Sequence, residues 1–290
     1  TLQRHSFPTR RSSDLIICST IAVNSFTGVC FSKSLKNVSN KNVKTQYNKI
    51  HDEVSTKEYN WYFQPKNDNT PPAGPKETTE IISKYNCFHL GDTSKKVLYL
   101  TFDEGYEAGY TAPILDVLKN HKVKAAFFVV KPYLVSSPDL IKRMVTEGHL
   151  ICNHSNHHLS MASIKDEKIF DKELSDVEDI FENITHKKMS KYFRPPMGKY
   201  SELSLLYTKN YGYKTIFWSF AYMDWLKDNQ PSHADAKRRI MQRTHNGGII
   251  LLHAVSKTNA EILDDVITEW EKQGYVLKSL DELPDRKSVV

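Results

Sequence analysis

The side chains of this chain that could do chemistry fall in five short clusters, each at the end of an apolar run. The first is Asp103-Glu104, which follows Val97-Leu98-Tyr99-Leu100-Thr101-Phe102 and is closed by Gly105. Two acids at the carboxyl end of a buried strand lie where α/β proteins keep their sites, and they suit a general base or a cation ligand. The second is His154-Ser155-Asn156-His157-His158. His154 and His158 are four apart, on one helical face or across one tight turn, a separation at which two imidazoles can bind one metal. A carboxylate from Asp103 or Glu104 would complete a His₂-carboxylate set with positions open for water. The third, Arg194-Pro195-Pro196, holds a guanidinium beside two rigid residues, where it can orient a carboxylate. The last two are Asp224-Trp225 and Leu251-Leu252-His253. A carboxylate partner fixes the tautomer of an imidazole and raises its pKa, which suits a proton donor. Each cluster alone also has a plainer reading: a solvated acidic turn, a surface group of histidines, a loop arginine in solvent, a satisfied core histidine.

Bringing the clusters together needs a regular frame, and the hydrophobic pattern supplies one. Residues 97–105 read as a buried strand, 112–121 as a helix, and 123–130 as a β-branched and aromatic strand. The segment 138–147 reads as a helix closed by Gly148, and 149–153 as a short strand. The spacing of Ile169, Leu174, Val177, Ile180 and Phe181 predicts a helix over 165–184, followed by a strand at 189–193. A Ser cap starts a helix at 201–211, and strands at 213–219, 248–252 and 275–277 alternate with helices at 234–243 and 260–273. Such alternation predicts an α/β fold with a parallel sheet and helices outside, as a barrel or as a doubly wound sheet.

The 290 residues, 39% of them hydrophobic, can form a sizeable core. The net charge of +6, from 40 Lys and Arg against 34 Asp and Glu, is carried largely by lysines in residues 33–57, which is weak support for a nucleic-acid partner. Residues 15–31 are apolar and uncharged after Arg10, Arg11 and Asp14, so residues 1–32 read as a signal peptide or anchor and the protein as exported, associated with membrane or wall. The strings 7–15 and 286–290 resemble translated sequencing-adapter read-through, which would make the basic flank foreign. Residues 33–78 read as a linker and extended arm: 32–58 is rich in Lys, Asn and Ser, and 64–77 carries four prolines. Trp61-Tyr62-Phe63 is expected to lie across the domain, which occupies 79–285. Cys87 and Cys152 are expected as buried thiols.

The ordered words Thr101-Phe102-Asp103-Glu104-Gly105, His154-Ser155-x-x-His158, Arg194-Pro195-Pro196, Asp224-Trp225 and Leu251-Leu252-His253 resemble the five motifs of the NodB-homology polysaccharide deacetylases. The resemblance covers about residues 79–282 and implies a distorted (β/α) barrel of seven to eight parallel strands. It implies Asp103 as base, Arg194 orienting it, His154 and His158 holding a divalent metal, and His253 as acid oriented by Asp224. The metal would be zinc, with cobalt or manganese as alternatives. Met197 would supply an oxyanion N–H after the double proline, Tyr222 and Trp225 would wall the sugar pocket, and Pro196 and Met197 would join them in binding substrate. The second acid is usually a ligand and usually Asp, so Glu104 is expected either to ligate from one methylene further out or to turn away.

The flanking words Glu104-Gly105-Tyr106-Glu107-Ala108-Gly109-Tyr110-Thr111 and His253-Ala254-Val255-Ser256-Lys257 further resemble the delta-lactam-biosynthetic de-N-acetylases, which act on muramic acid in spore cortex peptidoglycan. The expected activity is therefore N-deacetylation of peptidoglycan amino sugars by a monomer. The alternatives are a glucosamine- or chitin-directed deacetylase and a catalytically inactive wall-glycan-binding protein.

Overall fold

The computed structural model describes residues 54–284. The expected signal or anchor, the first part of the linker and residues 285–290 lie outside the described residues. No helix among the described residues is long and apolar enough to cross a membrane.

In chain order the strands are β1 (Tyr59–Asn60), β2 (Cys87–Phe88), β3 (Val97–Glu104), β4 (Ala126–Val129), β5 (Leu150–Asn153), β6 (Tyr192–Phe193), β7 (Lys199–Tyr200), β8 (Lys214–Ile216), β9 (Gly248–His253) and β10 (Val276–Leu277). The α-helices are α1 (Thr79–Lys84), α2 (Thr111–Asn120), α3 (Lys131–Ser136), α4 (Pro138–Thr146), α5 (Glu167–Thr185), α6 (Glu202–Asn210), α7 (His233–Arg243) and α8 (Lys257–Lys272). The main sheet runs β10-β3-β4-β5-β6-β8-β2, with β9 on the other side of β3. Its strand pairs are all parallel. The ring closes where Phe220, beyond β8, bridges Ile250 in β9. This is the distorted barrel that the motifs imply.

Side-chain alternation along β3 sorts the interior into two layers. Leu98, Leu100 and Phe102 belong to the large cluster shared with α2, α4 and α8 outside the barrel. Val97 and Tyr99 belong to the inner cluster with Phe128, Cys152, Tyr192, Ile216 and Ile249, closed below by Leu280 and Leu283. Thr101 and Asp103 continue the inner row and Glu104 the outer one. Cys87 and Cys152 are buried free thiols, as expected.

Helix starts follow local chemistry. Asp166 accepts from the Ile169 N–H to cap α5, and Ser201 and Ser204 cap α6 reciprocally. Ser256 caps α8 directly after β9, which fixes how that helix leaves the site. The arm preceding α1 is ordered against the barrel: β1 pairs antiparallel with β7, and Trp61 is buried. Of the aromatic triplet only Trp61 is buried; Tyr62 is exposed, because its neighbours alternate across a short strand edge.

Candidate active site

β3 and β9 are neighbours in register, with Asp103 opposite His253 at their carboxyl ends. Both line a cavity of about 670 Å³ together with His154, His158, Met197, Tyr222 and Trp225. Asp103 has two different surroundings. Its Oδ1 accepts from Arg194 Nη1 at 2.6 Å, and its Oδ2 lies 3.6 Å from His154 Nε2. Burial alone would raise its pKa, but the Arg194 charge, with His154, His253 and the Arg194 hydrogen bond, outweighs that and lowers it. Asp103 is thus held as a carboxylate, the form a base needs.

Arg194 is fully buried rather than a loop arginine in solvent. Its Nε donates to the Ile216 carbonyl at 3.1 Å, Nη2 to Thr101 Oγ1 at 2.9 Å, and its guanidinium lies over the Phe128 ring at 4.1 Å. Three hydrogen bonds and a stacking surface leave the fork one orientation. Thr101, two residues before the base on the same face of β3, is part of this arrangement, and the sequence reading did not single it out.

His154 is buried, and its Nδ1–H donates to the Arg194 carbonyl at 2.8 Å, which leaves the Nε2 lone pair aimed toward Asp103. His158 lies beside it, ring centroids 4.9 Å apart, on a left-handed backbone with φ 55. The His158 N–H donates to Ser155 Oγ, and His157 is tied to Glu173 on α5 through both its N–H and its Nδ1, so the turn is held from the helix side. His157 therefore points away from the pair. Burial keeps both imidazoles uncharged: His154 is held down to about 4 against the pull of Asp103, and His158 is lowered for the same first reason.

His253 Nδ1–H donates to Asp224 Oδ1 at 2.7 Å, and its backbone N–H donates to Oδ2 at 2.9 Å. Burial would lower the His253 pKa, but the hydrogen bond and charge of Asp224, with Asp103 behind, raise it. Asp224 is fully buried and accepts a further bond from Asn259 Nδ2 at 2.5 Å, while the Tyr222 hydroxyl donates to Asn259 Oδ1. Asn259 was missed. Its one signal was a polar residue on the apolar face of α8, in line with Ile262 and Leu263. Trp225, 45% exposed, tilts over His253 with ring centroids 5.2 Å apart. Met197 is exposed in a tight turn with φ 58, and Trp218, Tyr106 and Met223 also line the cavity.

Two expected site residues are placed elsewhere. Glu104 continues the outer row of β3, away from the cavity, so it stands outside the His154 and His158 pair. It is fully buried, and neither carboxyl oxygen has a hydrogen-bond partner. Burial, then the charges of Glu107 and Asp103, push its pKa well above the usual carboxylate range, so it carries a proton. The strand alternation that aims Asp103 inward sends its neighbour outward. Pro196 is buried in the first position of the turn and does not line the cavity; its role is to shape the turn that presents Met197. Arg194 and Asp224 do not line it either, and reach it only through their bonds to Asp103 and His253.

Two uncharged imidazoles beside a carboxylate are the donor chemistry of a divalent-cation site. Among the described residues, no group of three or more His, Cys, Asp or Glu side chains is arranged to hold a metal. The pair fits a cation as two ligands; of the two carboxylates that the sequence offered as the third, Asp103 faces the pair and Glu104 does not.

Fold and site together define a hydrolase of the parallel-barrel type, with a carboxylate and an imidazole facing one cavity from adjacent strands. The chain belongs to the polysaccharide deacetylase family, whose model matches residues 90–216. It is 45% identical over 236 residues to the peptidoglycan-N-acetylmuramic acid deacetylase PdaA of Bacillus subtilis, covering 81% of this chain and 89% of that protein. An uncharacterized 30.6 kDa protein of Geobacillus stearothermophilus is 49% identical over 230 residues, 79% of this chain and 86% of that one. The solved structure of Bacillus subtilis PdaA, a family 4 carbohydrate esterase, matches with a TM-score of 0.77 at 44% identity, covering 79% of this chain and 98% of that one. As a member of this family the protein is a polysaccharide deacetylase that hydrolyses amide bonds.

Proposed function

We propose that this protein removes the N-acetyl group from amino sugars of peptidoglycan, with N-acetylmuramic acid as its substrate, and so supplies the free amine that closes to a muramic lactam in spore cortex. The observation that carries the chemistry is the pairing of Asp103 with His253 across β3 and β9 in one cavity. The similarity to a deacetylase of N-acetylmuramic acid over most of both chains supports the sugar, and the words around Glu104 and His253 support the lactam.

Asp103, kept ionised by Arg194, accepts the proton of the attacking water. His253, kept protonated by Asp224, returns a proton to the departing amine. The Met197 N–H is positioned by its turn to donate to the carbonyl oxygen as charge builds there, and Trp225 and Tyr222 wall the sugar. His154 and His158 hold a divalent cation, zinc or else cobalt or manganese. Deacetylases of this family generally depend on a metal, which when bound polarises the acetyl carbonyl and acidifies water. Because the substrate lies outside the cytoplasm, the apolar segment 15–31 is assigned to export.

Incubating purified protein with peptidoglycan, digesting it and weighing the fragments tests this. Loss of 42 mass units from muramic fragments, about one acetyl replaced by hydrogen, is the expected result. Loss from glucosamine instead would favour the reading supported by the 30% identity over 195 residues to a peptidoglycan-N-acetylglucosamine deacetylase of Bacillus cereus. The inactive wall-binding reading rested on Glu104, and Glu104 does not enter the cavity.

A further inference from the structure

Trp61 plays no part in the chemistry above, yet its contacts converge on one wall of the cavity. Its backbone N–H donates to the Gly198 carbonyl at 2.7 Å, and its indole Nε1–H donates to the Trp218 carbonyl at 2.9 Å. Its ring stacks on Phe217 at 4.5 Å and 17°. Gly198 is pinched between the two tryptophans: a Cβ there would lie 2.9 Å from Trp218 Cη2 and 3.2 Å from Trp61 Cβ. Gly198 and Trp218 both line the cavity.

The same stretch of arm holds the turn from its other end. Tyr59 and Asn60 pair with Tyr200 and Lys199. Exposed Glu58 takes the Lys199 ammonium at 2.9 Å and accepts from Ser160 Oγ at 2.6 Å, two residues beyond His158. The Ser55 carbonyl accepts from the Leu203 N–H at 3.1 Å. The turn so held contains two consecutive left-handed residues, Met197 with φ 58 and Gly198 with φ 67. A methionine adopts that conformation only where its surroundings impose it, and Trp61 and the β1–β7 pair lie directly against the turn.

We propose that residues 55–61 are a clamp that sets the Met197 N–H and the Trp218 wall, with Trp61 as its positioning residue. This rests on the reading of Met197 as the oxyanion donor. Trp61 belongs to a small cluster with Tyr200, Phe217, Ile82 and Tyr85, separate from the main core, so its loss loosens the turn without emptying the barrel. An N–H that strays from the developing oxyanion costs transition-state stabilisation while the sugar still binds, so kcat falls and KM holds.

The test is acetate release from peptidoglycan by the full chain and by W61A, W61F and E58A, with melting temperatures measured alongside. W61A is expected to lower kcat about 10- to 100-fold with KM within about threefold, part of the 10²–10³ seen when such a donor is deleted. W61F, which keeps the stacked ring and loses the Nε1–H, is expected to fall between W61A and the parent. E58A, on the surface, is expected to lower kcat several-fold without loss of melting temperature. If W61A does not fold, W61F and E58A decide. Variants that keep the parental kcat, or that lose activity only in step with melting temperature or through KM, overturn the clamp. A parent protein that releases no acetate overturns the deacetylase reading instead.

Discussion

Asp103 and His253 stand opposite one another on adjacent parallel strands, each backed by a buried ion of opposite sign: Arg194 behind the carboxylate, Asp224 behind the imidazole. The two backing groups push the pair apart in proton affinity, so that the Asp103 carboxyl gives up its proton and the His253 imidazole keeps one. D103N and H253A are each expected to lower kcat by about 10²- to 10⁴-fold. The double variant should fall little further than the worse single one, because both act in one step. D103N should still bind peptidoglycan in a pull-down, which separates lost chemistry from lost folding.

The Asp224–His253 bond sets the alkaline limb of the pH profile. In the proposed mechanism His253 works protonated, and its pKa is raised above 6.5, so kcat/KM is expected to fall as pH rises through the raised value. In D224N the carboxylate charge is gone and burial, the largest single influence, is left to lower the pKa. The limb should then move to lower pH, with most activity at neutral pH lost. A limb that stays in place in D224N would mean that another group titrates.

Arg194 is the least replaceable of the set. R194K keeps a positive charge but cannot donate at once to Asp103, Thr101 and the Ile216 carbonyl. It leaves a buried carboxylate poorly paired, which costs on the order of 3–5 kcal/mol when a buried pair is broken. Calorimetry should show the fall in melting temperature, and acetate release should fall by about 10²-fold or more as Asp103 loses its hold.

His154 and His158 supply the cation test. Treatment with a chelator should abolish acetate release, and added zinc should restore it in the parent but not in H154A or H158A. Elemental analysis should find metal in the parent and not in either variant. Activity indifferent to chelation would remove the cation from the mechanism.

The frame and the ends of its strands were legible because period-two and helical patterns are written locally, and each motif follows a buried run: β3, β5 and β9 lie within a residue or so of their expected bounds. Short pieces were not. β1, β7 and α3 carry too few residues to show a period, and β1 forms only because β7 lies beside it. The facing of Asp103 and His253 was an inference from motif order, and the strand register supplies its geometry. Asn259 and Thr101 were hidden because each acts through a partner far away in sequence, and Trp61, expected to lie across the domain, carried no sign of which wall it would reach. For Glu104 the sequence left two outcomes open, ligating or turning away, and strand alternation decides between them, because adjacent residues of a strand face opposite sides.

That displacement of Glu104 makes a prediction with two independent readouts. Its folded-state pKa is raised well above 4.5 by burial and by Glu107 and Asp103, so the unfolded chain releases this proton first. The sign follows: its contribution is fully present below about pH 4.5 and is lost as pH rises through the raised value, because ionising the folded protein here costs more than ionising the unfolded one. E104Q carries no ionisable proton and escapes that loss. The melting temperature of E104Q relative to the parent should therefore climb as pH is raised from 4.5 toward neutral and beyond, while bound metal is unchanged and kcat stays within about threefold. A gap that does not vary with pH would mean that the ionised carboxylate finds a partner, and loss of metal in E104Q would place Glu104 among the ligands after all.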